Sequence, residues 1–137
     1  MVDYERPPRV LVVEDEAELR ILVAEVLRDA GYLVTTAADG AEAFIAMEST
    51  PPDVVLLDLI MPGKDGWSLL EDCRSSPRLR NIPVGILSGA SRVEESLALC
   101  SAARAIQKPF DIDDLLDAVR ELAEVRAQRF DPVANAA

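Results

Sequence analysis

Five side chains that could act together each follow a short run of residues that is typical of a β-strand. They are Glu14, Asp15, Asp58, Ser88 and Lys108. The carboxyl ends of parallel strands meet at one edge of a sheet, which is where such folds bind their ligands. We therefore expect these side chains to lie close together.

This set of residue types is suited to the transfer of a phosphoryl group. Carboxylates that converge repel one another and have raised pKa values unless a cation neutralises them. Mg²⁺ is a suitable cation, because it prefers oxygen ligands and completes its shell with water and phosphate oxygens. In such a site Asp58 could attack phosphorus, Ser88 could donate a hydrogen bond, and Lys108 could pair with a phosphoryl oxygen.

The composition excludes several other kinds of chemistry. The 137 residues include 14 Lys and Arg against 25 Asp and Glu, a net charge of −11, and no His. Imidazole-based zinc sites, Ser-His or Cys-His catalysis and His general bases are therefore excluded. The acidic balance also argues against nucleic-acid binding, which depends on Lys and Arg at the phosphates. Lys64 and Lys108 are the only lysines.

The sequence has the size and hydrophobicity of one intracellular domain. Half of the residues are hydrophobic but only 4% are aromatic, which predicts an aliphatic core. Cys73 and Cys100 have neither metal-knuckle nor redox-pair spacing. The N-terminus has no apolar signal segment, and the longest apolar stretch, 54–62, is far short of the ~20 residues of a membrane span. We expect a cytoplasmic protein without a membrane segment.

Strand and helix patterns alternate along the chain. The strands are predicted at 9–13, 33–36, 54–57, 83–87 and 104–107, and the helices at 16–30, 41–47, 66–74, 91–100 and 111–128. Five strands alternating with five helices require right-handed crossovers and helices on both faces of a parallel sheet. The predicted fold is a doubly wound α/β domain over 9–128, between a leader at 1–8 and a disordered tail at 129–137.

Apolar spacing and capping residues predict the faces and ends of the helices. The first and last helices have apolar residues at i, i+3, i+4 and i+7, which indicates one buried stripe on each. The first stripe comprises Leu19, Leu22, Val23, Val26, Leu27 and Ala30, and the last comprises Ile112, Leu115, Leu116, Val119, Leu122 and Ala123. Gly31 should end the first helix. A turn at Asp39 and Gly40 should cap the second.

Four stretches of the sequence together resemble the receiver domain of two-component response regulators. They are Val12-Val13-Glu14-Asp15-Glu16, Val54-Val55-Leu56-Leu57-Asp58-Leu59-Ile60-Met61-Pro62-Gly63-Lys64-Asp65-Gly66, Leu87-Ser88-Gly89-Ala90 and Gln107-Lys108-Pro109-Phe110. The resemblance covers about residues 9–127. It implies a flavodoxin-like, five-stranded parallel sheet of order 2-1-3-4-5.

The resemblance also implies the roles of the acidic residues. Asp58 matches the aspartate that accepts a phosphoryl group from the phosphohistidine of a histidine kinase. Glu14 and Asp15 match the acid pair that holds Mg²⁺ together with Asp58, and Ile60 would add its backbone carbonyl.

Three further residues and the partners follow from the same resemblance. Ser88 matches a switch hydroxyl that turns onto the phosphoryl group, Lys108 matches the lysine that pairs with it, and Pro109 matches a proline that often follows a cis bond. The implied function is a phosphoacceptor in a two-component phosphorelay, with at most slow self-dephosphorylation. A histidine kinase or phosphotransfer protein and a downstream protein target are the implied partners, and a weak homodimer is compatible with this function.

The sequence departs from the family pattern at several positions. Ala105 stands where the family usually has an aromatic residue whose rotation reports phosphorylation. Few acids occur at 101–105, so dimerisation through ion pairs on this face is not assumed. Glu14 replaces the more frequent aspartate, and its longer arm should shift ion coordination without abolishing it. Ile60, two residues after Asp58, is hypothesised to hinder the water that would hydrolyse an aspartyl phosphate.

Three other functions fit parts of the sequence less well. A phosphatase of the haloacid dehalogenase type places a second Asp two residues after its nucleophile, where this chain has Ile60. A flavin-binding electron carrier needs a phosphate-cradling loop after the first strand, where the acids at 14–16 would repel phosphate. A module that binds partners without phosphorylation is opposed by Asp58 and Lys108 and favoured by Ala105.

Overall fold

Strands and helices alternate through the residues that the computed structural model describes, which are 6–58, 66–88 and 103–129. The strands there are β1 (Arg9–Val13), β2 (Leu33–Ala37), β3 (Val54–Asp58), β4 (Val84–Ser88) and β5 (Ala103–Gln107). The helices there are α1 (Ala17–Asp29), α2 (Gly40–Ser49), α3 (Gly66–Arg74) and α4 (Ile112–Arg129). The helix predicted at 91–100 and both ends of the chain, 1–5 and 130–137, lie outside the described residues.

The five strands form one parallel sheet in the order β2-β1-β3-β4-β5. The residues at 10–13 and 54–57 are at most 1% exposed, because helices cover both faces of β1 and β3. This arrangement confirms the predicted doubly wound α/β fold and its strand order. Among the described residues, no helix is long and apolar enough to cross a membrane.

Successive residues of the central strands point to opposite faces of the sheet and contribute to two separate cores. Leu11 and Val13 pack with apolar residues of α2 and α3 on one face. Val10 and Val12 pack with apolar residues of α1 and α4 on the other. Burial of each such side chain contributes about 1.5 to 3 kcal/mol, so both helix layers are required for stability.

The ends of α1 and α2 agree with the capping residues of the sequence. Gly31 follows α1 with a φ of 101°, a conformation that a residue with a Cβ rarely adopts. The N–H groups of Gly31 and Tyr32 donate to carbonyls of the last turn at 3.0 and 3.1 Å, which forms a Schellman motif. At α2, the carboxylate of Asp39 accepts from the Glu42 N–H at 2.8 Å.

Three residues of the predicted helix stripes are exposed, so the prediction was wrong for them. On α1, Leu22 is 53% exposed, whereas Val23 and Ala24 are buried. Leu22 and Ala24 flank Val23 on opposite sides, and the helix turns the smaller residue towards the sheet, where close packing is possible. Ala30 and Ile112 are exposed because they lie at helix ends, one residue beyond α1 and at the first residue of α4.

The first described residues already contact the sheet. The guanidinium of Arg6 pairs with the Asp53 carboxylate at 2.9 Å, and the same carboxylate accepts the Arg9 backbone N–H at 2.7 Å. The Pro8 carbonyl accepts from the Leu33 N–H at 3.1 Å. Part of the segment interpreted as a leader therefore lies against the sheet, and the boundary at residue 9 stays a prediction.

Candidate functional site

The register of the central strands brings Glu14 beside Asp58. Val13 of β1 lies opposite Leu57 of β3, so the residues that follow them, Glu14 and Asp58, are neighbours at the carboxyl edge of the sheet. Both are buried, with Glu14 1% and Asp58 8% exposed. Burying two carboxylates is costly unless a cation pairs with them, so this position calls for a positive charge.

Lys108 supplies that charge. Its Nζ lies 3.3 Å from Glu14 Oε1, 3.4 Å from Glu14 Oε2 and 3.3 Å from Asp58 Oδ2. The position follows from the edge strand, because Gln107 ends β5 opposite Ser88 and Lys108 comes next. The Lys108–Pro109 peptide bond is cis, as the resemblance implied. The fold therefore brings together Glu14, Asp58 and Lys108 from three strand ends.

The acids and the lysine change each other's proton affinity. Burial raises the pKa of Glu14 to about 7, and the hydrogen bond and the charge of Asp58 raise it as well, against the opposite influence of Lys108. Burial lowers the pKa of Lys108, but the charges of Asp58 and Glu14 outweigh that effect and leave it above its usual value. Lys108 is therefore charged near neutral pH, and a metal ion at Glu14 would compete with a proton for the carboxylate.

The carboxylates form a cluster that can hold a metal ion. Oxygens of Glu14, Asp15 and Asp58 all lie within 4.8 Å of one another, and Asp15 is the exposed member. Three hard oxygen donors suit Mg²⁺, which needs few protein ligands and keeps several waters. Ser88 is the last residue of β4. The side chain of Ser88 and the whole of Ile60 lie outside the described part of the chain.

Sequence reasoning missed Arg20 on α1. Its guanidinium Nη1 donates to the backbone carbonyl oxygen of Glu14 at 2.8 Å and lies 3.4 Å from that of Asp15. The signal was present in the sequence, because Arg20 follows Asp15 by five residues at the start of a helix. Helical side chains point back towards the N-terminus, which lets this arginine reach the loop before the helix.

Ala105, which departs from the usual aromatic residue of the family pattern, is exposed on β5. A surface pocket of about 320 Å³ lies along it and extends to Lys108 and Pro109. The neighbouring Arg104 forms an ion pair with Glu121 of α4. The short side chain of Ala105 therefore leaves open space beside the lysine end of the site.

The raised pKa of Glu14 predicts a pH-dependent contribution to stability in buffer that contains a chelator. Between the usual value of 4.5 and about 7, the folded chain binds more protons than the unfolded chain, so the free energy of unfolding falls as pH rises. The slope from this group reaches up to about 1.4 kcal/mol per pH unit. Urea denaturation between pH 5 and 8 should show that Glu14→Gln loses this component.

The matched control for this prediction is Glu25→Gln, which makes the same change at an exposed position on α1. Its stability should follow that of the unchanged chain with pH. If the free energy of unfolding of Glu14→Gln varies with pH in parallel with that of the unchanged chain, the prediction is contradicted.

The fold and the site together define a class of protein. The chain is a flavodoxin-like α/β domain with a carboxylate and lysine site between β1 and β3, where the strand order reverses. The family model described as "Response regulator receiver domain" matches residues 10–120. The chain belongs to this family, whose members are signalling modules of two-component systems.

Individual relatives agree with this assignment. The transcriptional regulatory protein PdtaR of Mycobacterium tuberculosis is 39% identical over 123 residues, which are 88% of this chain and 58% of PdtaR. Sporulation initiation phosphotransferase F of Bacillus subtilis is 33% identical over 120 residues, covering 87% of this chain and 96% of the relative. The chemotaxis response regulator CheY4 of Vibrio cholerae has a TM-score of 0.78 at 29% identity, covering 85% and 98%. The chain spans about half the length of the transcriptional regulators that it matches.

Proposed function

We propose that this domain accepts a phosphoryl group on the carboxylate of Asp58 in a Mg²⁺-dependent reaction and thereby switches the binding of a protein partner. The observation that carries the proposal is the position of Lys108 Nζ, 3.3 Å from both Glu14 and Asp58. A carboxylate that attacks phosphorus needs a fixed cation for the charge on the phosphoryl oxygens. Membership of the receiver family supports the same reaction independently.

In the proposed step, an Asp58 oxygen attacks the phosphorus of a phosphohistidine on another protein. The new P–O bond forms as the P–N bond breaks, and the imidazole keeps the electron pair and takes up a proton from solvent. The product on this chain is an acyl phosphate. Because the chain has no His, the donor imidazole belongs to a partner, a histidine kinase or a phosphotransfer protein.

The residues around Asp58 have distinct proposed roles. Glu14, Asp15, Asp58 and the backbone carbonyl of Ile60 would hold Mg²⁺, which reduces the repulsion between the carboxylates and the incoming phosphoryl group. The ammonium of Lys108 moves from pairing two carboxylates to pairing with a phosphoryl oxygen. The hydroxyl of Ser88 donates a hydrogen bond to the same group.

The proposed activity is that of a cytoplasmic signalling module rather than of an enzyme with turnover. The acyl phosphate changes the surface that a downstream protein binds. Water then hydrolyses the acyl phosphate slowly. Ala105 in place of an aromatic residue leaves the β5 surface without the usual reporter side chain. We propose readout through a protein target, with no nucleic-acid binding by this domain and at most a weak homodimer.

Acetyl phosphate provides the test of this proposal, because it donates a phosphoryl group without a partner protein. With Mg²⁺, the intact mass of the chain should increase by one phosphoryl group, and the gain should disappear when EDTA replaces Mg²⁺. No gain with Mg²⁺ contradicts the proposal and favours a module that binds partners without phosphorylation.

Ile60→Asn should speed the loss of the phosphoryl group. We propose that an apolar, β-branched side chain two residues after Asp58 would hinder the water that hydrolyses the acyl phosphate, whereas an amide would orient that water by hydrogen bonds. We expect the dephosphorylation rate to rise on the order of tenfold, which corresponds to about 1.4 kcal/mol in the barrier. The decay of the phosphorylated mass after donor removal gives this rate. Ile60→Val, which stays apolar and branched, should decay like the unchanged chain, and an unchanged rate in Ile60→Asn contradicts the hypothesis.

A further inference from the structure

We propose that Arg20 is a positioning residue that holds the loop carrying two of the metal-binding acids. Its Nη1 donates to the Glu14 carbonyl at 2.8 Å and lies 3.4 Å from the Asp15 carbonyl. Its backbone N–H donates to the Glu16 carbonyl at 2.9 Å. The side chain thus contacts two consecutive carbonyl groups of the loop between β1 and α1, whereas the backbone bond is the ordinary first hydrogen bond of the helix.

Arg20 acts where the helix has no side-chain cap. The side chain of Glu16, the N-cap of α1, makes no capping hydrogen bond. The corresponding loops before α2 and α4 are held by Asp39 and Asp111, each of which accepts a backbone N–H at 2.8 Å. The loop before α1 is therefore fixed by an arginine that donates to its first two carbonyls, those of Glu14 and Asp15.

The loop is also fixed from the opposite side. The Glu14 N–H donates to the Ala37 carbonyl of β2 at 3.1 Å, so the peptide groups on either side of Glu14 are both held. Asp15 follows directly, and its exposed side chain depends on the backbone for its position. Arg20 therefore orders the acid pair before the ion arrives.

This arrangement predicts an effect on metal affinity and not on the chemical step. Arg20 contacts the backbone of the acid pair and supplies no ligand to the ion. Without Arg20, part of the binding energy of the ion is spent on ordering the loop, and loss of such supporting contacts typically weakens metal binding 10- to 100-fold. The inference rests on the proposed function for the consequence, which is that Arg20 sets the Mg²⁺ concentration at which the domain is phosphorylated.

Calorimetric titration of the full chain with MgCl₂ tests this inference directly. Arg20→Gln should weaken Mg²⁺ binding about tenfold. Arg20→Lys should recover part of the loss, because an ammonium keeps the charge and the N–H donors but sits on a flexible stem without the rigid plane of the guanidinium. The matched control is Arg28→Gln, which removes the same charge from the same helix, ~12 Å further along its axis. There the guanidinium donates to the Val34 carbonyl at 3.2 Å, and binding should be unchanged.

Phosphorylation by acetyl phosphate provides the second readout. Arg20→Gln should need about ten times more Mg²⁺ for half-maximal rate. At saturating Mg²⁺ it should reach the maximal rate of the unchanged chain, and circular dichroism should show the same fold. A general structural defect would lower the maximal rate as well.

The outcomes separate this inference from the proposed function. Equal weakening in Arg20→Gln and Arg28→Gln, or none in Arg20→Gln, overturns the positioning role. Weaker Mg²⁺ binding in Arg20→Gln, with no phosphorylation of the unchanged chain, overturns the proposed function and leaves the positioning role supported. Absence of Mg²⁺ binding by the unchanged chain overturns both.

Discussion

Asp58→Asn should gain no phosphoryl group from acetyl phosphate and Mg²⁺ under conditions in which the unchanged chain is fully modified. The amide has almost the same shape as the carboxylate but lacks the nucleophilic oxygen that would attack phosphorus. Intact mass measurement over time is sufficient, because the expected effect is complete loss.

Asp58→Asn should lose this reaction without losing stability. Asp58 raises the pKa of Glu14 through its hydrogen bond and its charge, so removing the charge relieves repulsion between two buried carboxylates. Lys108 keeps its contact with Glu14 at 3.3 Å. We therefore expect the thermal midpoint at pH 8, in EDTA, to be no lower than that of the unchanged chain.

The control for this change is Asp117→Asn, the same replacement at an exposed residue of α4 that pairs with Arg120. This variant should be phosphorylated like the unchanged chain. A phosphoryl group found on Asp58→Asn would place the acceptor at another residue and would contradict the assignment.

Lys108→Gln should have the second largest effect. The amide of Gln lacks the charge that lies 3.3 Å from both carboxylates, so a phosphoryl group arriving at Asp58 would meet uncompensated negative charge. Loss of one preorganised donor of this kind typically slows a reaction by about 100- to 1000-fold. The rate should be measured with acetyl phosphate at saturating Mg²⁺.

Mg²⁺ binding distinguishes loss of the Lys108 charge from general disruption of the site. Lys108 and Mg²⁺ compete for the same carboxylates, so Lys108→Gln should bind Mg²⁺ at least as tightly as the unchanged chain. The matched control is Lys64→Gln, at the other lysine of the sequence, which should be phosphorylated normally. A normal rate in Lys108→Gln, or weaker Mg²⁺ binding together with slow phosphorylation, contradicts the proposed role.

The strands could be predicted because they depend on local features of the sequence, whereas their order followed from the resemblance to receiver domains. The apolar runs at 10–13 and 54–57 have no polar alternation, which indicates strands buried on both faces, and the structure confirms this. The limits of the helices followed from Gly31 and Asp39, whose effects are confined to one turn. The face of α1 that is buried could not be predicted, since both Leu22 and Ala24 fit its apolar spacing.

The candidate site was predicted at the level of residue types and their places after strands. Glu14, Asp58 and Lys108 meet as expected, because parallel strands end at a common edge. The contribution of Arg20 was not predicted although its place five residues after Asp15 is visible in the sequence, because only the structure shows that its guanidinium donates to backbone carbonyls.

The sequence by itself determined the doubly wound fold, the family and the acids and lysine suited to phosphoryl transfer, because these depend on periodicity and motifs along the chain. Tertiary structure alone decided that Glu14 is buried against Asp58 with a pKa near 7. It also decided that Lys108 reaches both acids and that Arg20 holds the loop before α1. The physical reason is that burial and charge pairing depend on distances between residues far apart in sequence, such as Glu14 and Lys108, which only the folded sheet sets.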